Sequence, residues 1–268
     1  MDVFNQDQIY STIFLNIQSV TEYGDTQTFE NKEPEKFQTW LRMAKKRYKD
    51  EFKLIQEDGN TYRRIINDLY LEKACFLPEF SKIIGISYAT ILKVDNEGNQ
   101  KRELHVVKGE TEIELIKEIC TMLQVSFSVT HRAKQPPYTL CGHNIIGHDI
   151  PLLIKRIIKY RNELKGDDVL HVIPKLLKNY VNAKPWDSYV LDTINVWKFN
   201  GSDFISLNLV ADFMDLKKTV RLLPKDEINK FYWTGIEDDR GSTMAEINTQ
   251  SANFTNVAIQ LLNELRHL

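Results

Sequence analysis

Alternating polar and apolar positions mark the first strand of this chain. Residues 11–20 are mostly apolar or β-branched, and two amide side chains, Asn16 and Gln18, stand two positions apart within the run. Because side chains alternate between the faces of a strand, Asn16 and Gln18 share one face while Leu15 and Ile17 point to the other. Buried polar groups need hydrogen-bond partners, so this pair on a core strand requires a specific explanation.

The hydrophobic pattern after this strand changes from a period of two to a helical period. Apolar residues at helical spacing predict an insertion of helices at about 24–75. The β-rich segments 82–92 and 102–107 are separated by a turn signal at 95–99, which predicts an antiparallel hairpin. The insertion therefore lies between the first two strands of a sheet.

The second half of the chain alternates predicted helices with short strands. A helix with one apolar stripe begins near Ile113, and the last helix carries Ile247, Ser251, Phe254 and Ala258 on one stripe. The other predictions, in chain order, are a loop at 131–137, a strand at 138–142, a helix after Pro151, a partly helical segment at 166–182, a strand or strand-to-helix passage at 190–197, a short helix at 207–214 and a surface excursion at 224–241. This order predicts an α/β fold with a mixed sheet between helices.

The length and composition fit one large globular domain or two small ones, and we expect a single domain that spans residues 1–268. The 268 residues are 42% hydrophobic and 27% charged, with a formal net charge of -2, so a nucleic-acid contact has to come from a local basic patch. Cys75, Cys120 and Cys141 lie in apolar runs without zinc-site spacing, which favours a reduced, cytoplasmic setting. The first residues lack an export signal, and no apolar run reaches the ~18 residues of a membrane span. We therefore expect a soluble protein with no membrane partner.

Several motifs stand in a fixed order in the second half of the chain. The segment Leu140–Leu153 reads LCGHNIIGHDIPLL, and it is followed by Lys184–Trp186, Leu191–Phe199 and Ser206–Leu209. The first of these segments resembles the second exonuclease motif of the predicted 3′→5′ exonucleases related to the proofreading domain of family B DNA polymerases, and the others are similar to later segments of that family. The resemblance implies a ribonuclease H-like fold of the DEDD superfamily, with a mixed β-sheet flanked by helices and a helical insertion after the first strand.

The resemblance also implies positions for the catalytic residues. The Asp and Glu of the first motif fall on Asn16 and Gln18, and the Asp of the second motif falls on Asp149. The Asp of the third motif falls on Asn256, and the Tyr one turn before it falls on Ala252. One carboxylate of the family's four therefore remains.

The loss of three carboxylates should weaken metal binding. In the family, phosphodiester hydrolysis depends on two Mg2+ or Mn2+ ions. Two such ions ~4 Å apart repel by roughly 16 kcal/mol at an effective dielectric of ~20, which four carboxylates offset and one does not. Amide oxygens alone hold Mg2+ weakly. We expect no cofactor, vestigial ligation at most at Asp149, and little or no hydrolysis. Ala252 and His148 also replace the Tyr and Phe that the family favours, so we interpret the amides as natural changes; amides introduced to abolish activity are the alternative.

Several of these residues have structural interpretations as well. Asp149 precedes Pro151 and a helix, where it can cap free backbone amides, so capping and vestigial ligation both stay open. The resemblance places Asn144 and His148 at substrate-binding positions, although Asn144 can instead fix its loop through local hydrogen bonds. His143 and His148 have no Cys or carboxylate at a recognised metal-ligand spacing, which is typical of loop histidines.

Three functional hypotheses follow. The first is a catalytically inactive exonuclease-like protein that binds single-stranded DNA or RNA. The second is an active, metal-dependent 3′→5′ DNA exonuclease, in which other acids replace the lost carboxylates or the amides were introduced. The third is a protein-interaction scaffold, which would show no salt-sensitive association with DNA or RNA. The first is favoured because the motifs of the fold persist while most of the metal carboxylates do not.

Overall fold

Five strands form one mixed sheet in the computed structural model, which describes residues 9–53, 59–94, 100–133, 138–182, 189–198 and 205–266. The strands are β1 (Thr12–Thr21), β2 (Ser81–Val94), β3 (Gln100–Val106), β4 (Thr139–Gly142) and β5 (Val190–Asp192). Their order across the sheet is β3-β2-β1-β4-β5. β2 runs antiparallel to β1 and to β3, whereas β4 is parallel to β1 and to β5. The strand that carries the amide pair is therefore the centre of the sheet.

Helices follow β1, β3, β4 and β5 along the chain. Between β1 and β2 lie α1 (Thr26–Lys32), α2 (Pro34–Arg47), α3 (Lys49–Lys53) and α4 (Gly59–Lys73). α5 (Glu112–Ala133) follows β3, and α6 (Ile150–Lys159) and α7 (Val172–Leu176) lie between β4 and β5. After β5 come α8 (Thr193–Trp197), α9 (Leu207–Phe213), α10 (Lys225–Asp238) and α11 (Arg240–Arg266). The predicted α/β class, with a mixed sheet between helices, is confirmed.

The two faces of the sheet pack against different helices. Leu15 of β1 belongs to an apolar cluster that includes Ile116 of α5 and Leu153 of α6. Phe14 points to the opposite face, where it packs in a cluster with Ile259 of α11. The two amide side chains of β1 alternate with Leu15 and so share the Phe14 face. The predicted polar pair is thus turned toward α11.

The inserted helices build a separate aromatic core. Phe29, Phe37, Trp40 and Tyr70 are buried in one cluster. The rings of Trp40 and Tyr70 meet edge to face, with centroids 5.2 Å apart, which is a favourable geometry for aromatic pairs. The helices expected between the first two strands are therefore present, and they are stabilised by their own contacts.

Most of the segment 224–241 forms a helix and not the predicted surface excursion. α10 buries Ile228 and Tyr232, one turn apart. The side-chain oxygen of Asn229 accepts a hydrogen bond of 2.8 Å from the backbone amide of Thr21 at the end of β1. The prediction was wrong because the charged residues of this segment hide a narrow apolar stripe. α10 is consequently part of the layer that covers β1.

Some predictions fall on residues that the structure does not describe. The helix α5 includes residues 131–133, for which a loop was predicted, and residues 134–137 lie outside the described residues. The hairpin turn at 95–99, the motif Lys184–Trp186 and Phe199 lie outside them as well. In the described part of the chain, no helix combines the length and apolar character that a membrane crossing requires.

Candidate functional site

A cavity of about 260 Å3 opens beside the carboxyl end of β4. It brings together the predicted positions of the first strand and of the second motif, which are Asn16, Gln18, Asn144, His148 and Asp149. Its wall also includes Phe76, Phe254, Lys225 and Asp226. Side chains from β1, the β4–α6 connection, α10 and α11 therefore meet in one site, although they are far apart in sequence.

The amide pair of β1 is held by hydrogen bonds within the protein. The Asn16 side-chain oxygen accepts one bond of 3.0 Å from Gln18 Nε2 and another of 3.1 Å from the Ser251 hydroxyl. Ser251 also bonds the hydroxyl of Ser87, the β2 residue opposite Asn16, at 2.9 Å. Because the Asn16 oxygen already accepts twice, the group that this side chain can still offer is its amide nitrogen, which is a donor.

α11 approaches the site through other residues than those predicted. Ala252 and Asn256 are half-buried and do not line the cavity, whereas Ser251 contacts Asn16 and Phe254 forms part of the wall. A helix turns about 100° per residue, so Asn256 lies roughly 140° around the axis from Ser251. The two predicted positions therefore do not line the cavity with Asn16, and the residue of α11 that contacts Asn16 is Ser251.

A chain of three polar side chains crosses the cavity wall. His148 Nδ1 lies 2.7 Å from an Asp149 carboxylate oxygen, and both side chains are buried. Lys225 Nζ contacts the other ring nitrogen, His148 Nε2. A lysine ammonium can only donate, so Nε2 is the acceptor and Nδ1 carries the proton that is donated to Asp149. Burial lowers the pKa of His148, and the nearby Lys225 charge lowers it further, which keeps the ring neutral.

These contacts correct two of the sequence predictions. Asp149 does not cap α6, because its backbone is helical and its side chain makes no capping bond. The reason is that Ile145–Asp149 already forms a π-helical turn that leads directly into α6, so Asp149 does not stand at a free helix start. His148 lies in this π-helical turn and not in a loop, and its Nδ1 pairs with the carboxylate of the next residue.

The loop that carries this chain is fixed by Asp192, which the sequence analysis did not single out as a site residue. Its carboxylate accepts backbone hydrogen bonds from Asn144 at 2.7 Å, Ile146 at 3.0 Å and Ile194 at 3.2 Å. Burial raises the pKa of Asp192 although these amides favour its charged form. The signal was present, because an Asp between a strand and a helix is a typical N-cap, and Asp192 caps α8.

The backbone of the same loop is unusual at Asn144. Its φ of 65° lies in the left-handed region, which Asn tolerates better than most residues. A Cβ on Gly147 would lie 2.4 Å from the Asn144 side-chain oxygen, so a larger residue there would displace the Asn144 side chain. His143 closes the loop from the other side, with Nε2 2.7 Å from the carbonyl of Ile205 and Nδ1 3.0 Å from the Thr193 hydroxyl. Asn144 thus shapes the loop through its backbone.

The side chains of the cavity do not fit two divalent metal ions. Among the described residues, no group of three or more His, Cys, Asp or Glu side chains could hold a metal ion. Asp149 and Asp226 are the carboxylates in the wall, and one oxygen of Asp149 is bonded to His148. The ammonium group of Lys225 would repel any cation near Asp149. The residues present favour a site that works without a metal pair.

No model of a known protein family matches this chain, and no curated protein is significantly similar to it in sequence. The function is therefore inferred from the motifs, the α/β fold and the chemistry of the cavity.

Proposed function

We propose that this protein is a catalytically inactive, ribonuclease H-like relative of the DEDD 3′→5′ exonucleases that binds single-stranded nucleic acid. The observation that carries the proposal is the cavity itself. The positions that resemble the first and second exonuclease motifs line one space, yet amides and a lysine stand where metal chemistry needs negative charge. A five-stranded mixed sheet with helices on both faces supports the architecture.

Electrostatics argues against hydrolysis by this site. A divalent ion about 4 Å from a lysine ammonium is repelled by roughly 8 kcal/mol at an effective dielectric of ~20. Lys225 adds this repulsion to the loss of both carboxylates on β1. Ser251, which contacts Asn16, contributes a hydroxyl and no charge. Without the metal pair, the water nucleophile of two-metal hydrolysis is not activated.

Aromatic side chains at the cavity support binding of unpaired bases. Phe76 is 43% exposed, and Phe254 lies in the same wall. Stacking of a base on an aromatic ring contributes about 1–3 kcal/mol per base and tolerates any sequence, but the base must be unstacked from a duplex first. The amides of Asn16 and Asn208, which also lines the cavity, add hydrogen-bonding groups. Single strands are therefore the preferred ligand.

The test is a paired assay of binding and digestion with an end-labelled oligonucleotide. We expect the single strand to bind more tightly than the duplex, with an affinity that falls as salt rises, and to stay at full length with Mg2+ or Mn2+. Progressive shortening from the 3′ end would instead establish the active exonuclease. No salt-sensitive association with either DNA or RNA would favour the protein scaffold and refute the proposal.

Variants that restore the carboxylates test whether the amides are the reason that the site does not bind metal. The variant Asn16→Asp/Gln18→Glu/Ser251→Asp should bind Mn2+ at least about tenfold more tightly than the unmodified chain, because carboxylates supply the charge that Mg2+ and Mn2+ sites use. The matched control carries Asn256→Asp in place of Ser251→Asp. Calorimetric titration should give a weaker Mn2+ site in the control, since position 256 is turned away from Asn16. Equal affinities would show that the spatial match to Ser251 is wrong.

A further inference from the structure

The position of Lys225 gives the cavity a charge of its own. Lys225 is the first residue of α10, it is half-buried, and it lines the cavity. Its ammonium donates to His148 Nε2, and no ion pair of the described residues includes it. An ammonium group has three protons, so two remain for a ligand after the bond to His148. The ammonium group also lies 5.5 Å from the centre of the Phe76 ring, so its charge is partly compensated within the protein.

Other donors point to the same space. α10 begins after Pro224, which makes no side-chain cap, so its first-turn backbone amides have no partner inside the helix. Leu223, Pro224, Lys225 and Asp226 all line the cavity, which places the positive end of the helix dipole there. The amide nitrogen of Asn16 is a further donor, because its oxygen is occupied. Positive charge and N–H donors are the features that bind an oxyanion.

Two carboxylates in the cavity wall, Asp149 and Asp226, weaken the attraction of the cavity for an anion. Asp149 gives one oxygen to His148 Nδ1, so the imidazole lies between its charge and the ammonium group. Asp226 follows Lys225 in the first turn, where a carboxylate stabilises the helix. Burial lowers the pKa of Lys225 to about 8, although Asp149 favours its charged form. The lysine therefore remains mostly charged at pH 7 and gains stability from an anion.

We propose that this cavity binds a phosphate group directly, through Lys225 Nζ, the Asn16 amide and the first-turn amides of α10, without a divalent metal. The inference deepens the proposed function and rests on it for one point only, which is that the phosphate in question belongs to a nucleic-acid strand. Binding of a free phosphate ion tests the site independently of that point.

The first experiment uses the full chain in EDTA with inorganic phosphate as the probe. Phosphate should raise the melting temperature above that in sodium chloride of equal ionic strength. Lys225→Gln should abolish this rise, Lys225→Arg should retain part of it, and Lys178→Gln, at an exposed lysine of the same chain, should leave it unchanged. Asp226→Asn should increase the rise, because it removes negative charge from the wall. Circular dichroism without phosphate verifies that each variant folds.

The inference is overturned if phosphate gives the original chain no specific rise, if the rise requires Mg2+, or if Lys225→Gln keeps it. A second experiment titrates a single-stranded oligonucleotide at several salt concentrations. Loss of one lysine–phosphate contact should weaken binding at least about tenfold and lower the slope of log K against log salt by about 0.7. Oligonucleotide binding that Lys225→Gln leaves unchanged overturns the inference but keeps the proposed function. Phosphate binding without oligonucleotide binding supports the site and refutes the function.

Discussion

Replacement of Arg156 by methionine should destabilise the protein more than any change to a surface ion pair. The Arg156 side chain is 2% exposed and joins two carboxylates. Its Nε and Nη2 donate to the two oxygens of Glu112 at 2.7 and 2.5 Å, and its Nη1 donates to Glu22 at 2.5 Å. Glu22 follows β1, Glu112 begins α5 and Arg156 lies on α6, so one guanidinium connects the sheet with both helices of this face.

The size of the expected loss of stability depends on the partners that Glu22 and Glu112 would keep without Arg156. Removal of one partner from a buried ion pair costs about 3–5 kcal/mol, because it leaves an uncompensated charge. Glu22 would keep Lys36 and Lys159, and Glu112 would keep hydrogen bonds from the Tyr160 hydroxyl at 2.8 Å and from one backbone amide. These remaining contacts place the expected loss near the lower end, at about 3 kcal/mol.

Urea unfolding measures this loss as a shift of the midpoint at constant slope. The control is Lys155→Met, one residue earlier on α6, which breaks the pair with Glu79. Those side chains are 47% and 53% exposed, so this change should cost less than about 1 kcal/mol. Equal midpoint shifts for Arg156→Met and Lys155→Met would refute the reasoning, since burial would then not decide the strength of the pair.

Three further changes test other parts of the structure. Burial alone would raise the pKa of Glu22, but its lysine and arginine partners lower it from 4.5 to about 2, so its stabilisation is present above about pH 4.5 and is lost as the pH falls toward 2. At about 1.4 kcal/mol for each unit of pKa shift, the free energy of unfolding should fall by about 3 kcal/mol over this range. The prediction is contradicted if a Glu22→Gln variant loses stability with falling pH as much as the original chain does. Asp192→Ala leaves three backbone amides unpaired and should cost about 3 kcal/mol, with faster hydrogen exchange at Ile146; unchanged exchange there would mean that the carboxylate does not hold the loop. Gly142→Ala places a Cβ 2.7 Å from the Leu15 carbonyl oxygen and should cost about 1–3 kcal/mol in urea unfolding, whereas an unaltered midpoint would show that the strands can separate freely.

The sequence predicted the parts of the fold that depend on local periodicity. The alternation around Asn16 is a property of one strand, so its two faces could be assigned without a structure. The stripe of the last helix was predicted as well, and Ser251 belonged to it. The resemblance places the third motif at Asn256, which lies on another face of α11 than Ser251. A short motif fixes order along the chain, but a shift of a few residues rotates a helical side chain away from its target.

The electrostatics of the site could not be predicted, because they come from a distant segment. Lys225 lies 77 positions after His148, in a stretch for which the sequence predicted a surface excursion. The packing of Ile228 and Tyr232 against the sheet and the hydrogen bond between Asn229 and Thr21 hold the start of α10 at the cavity. The role of Asp149 could not be predicted either, because it depends on the π-helical turn that this residue ends. Tertiary contacts therefore decided which interpretation of each polar residue holds.

The most direct measurement recovers a labelled single strand from its complex with the protein after long incubation with Mn2+. We expect a salt-sensitive complex from which the strand is recovered at full length, because the cavity offers a lysine and amides where hydrolysis needs metal-bound water. Shortened strands, or the absence of any complex with single-stranded DNA or RNA, would contradict the proposed function.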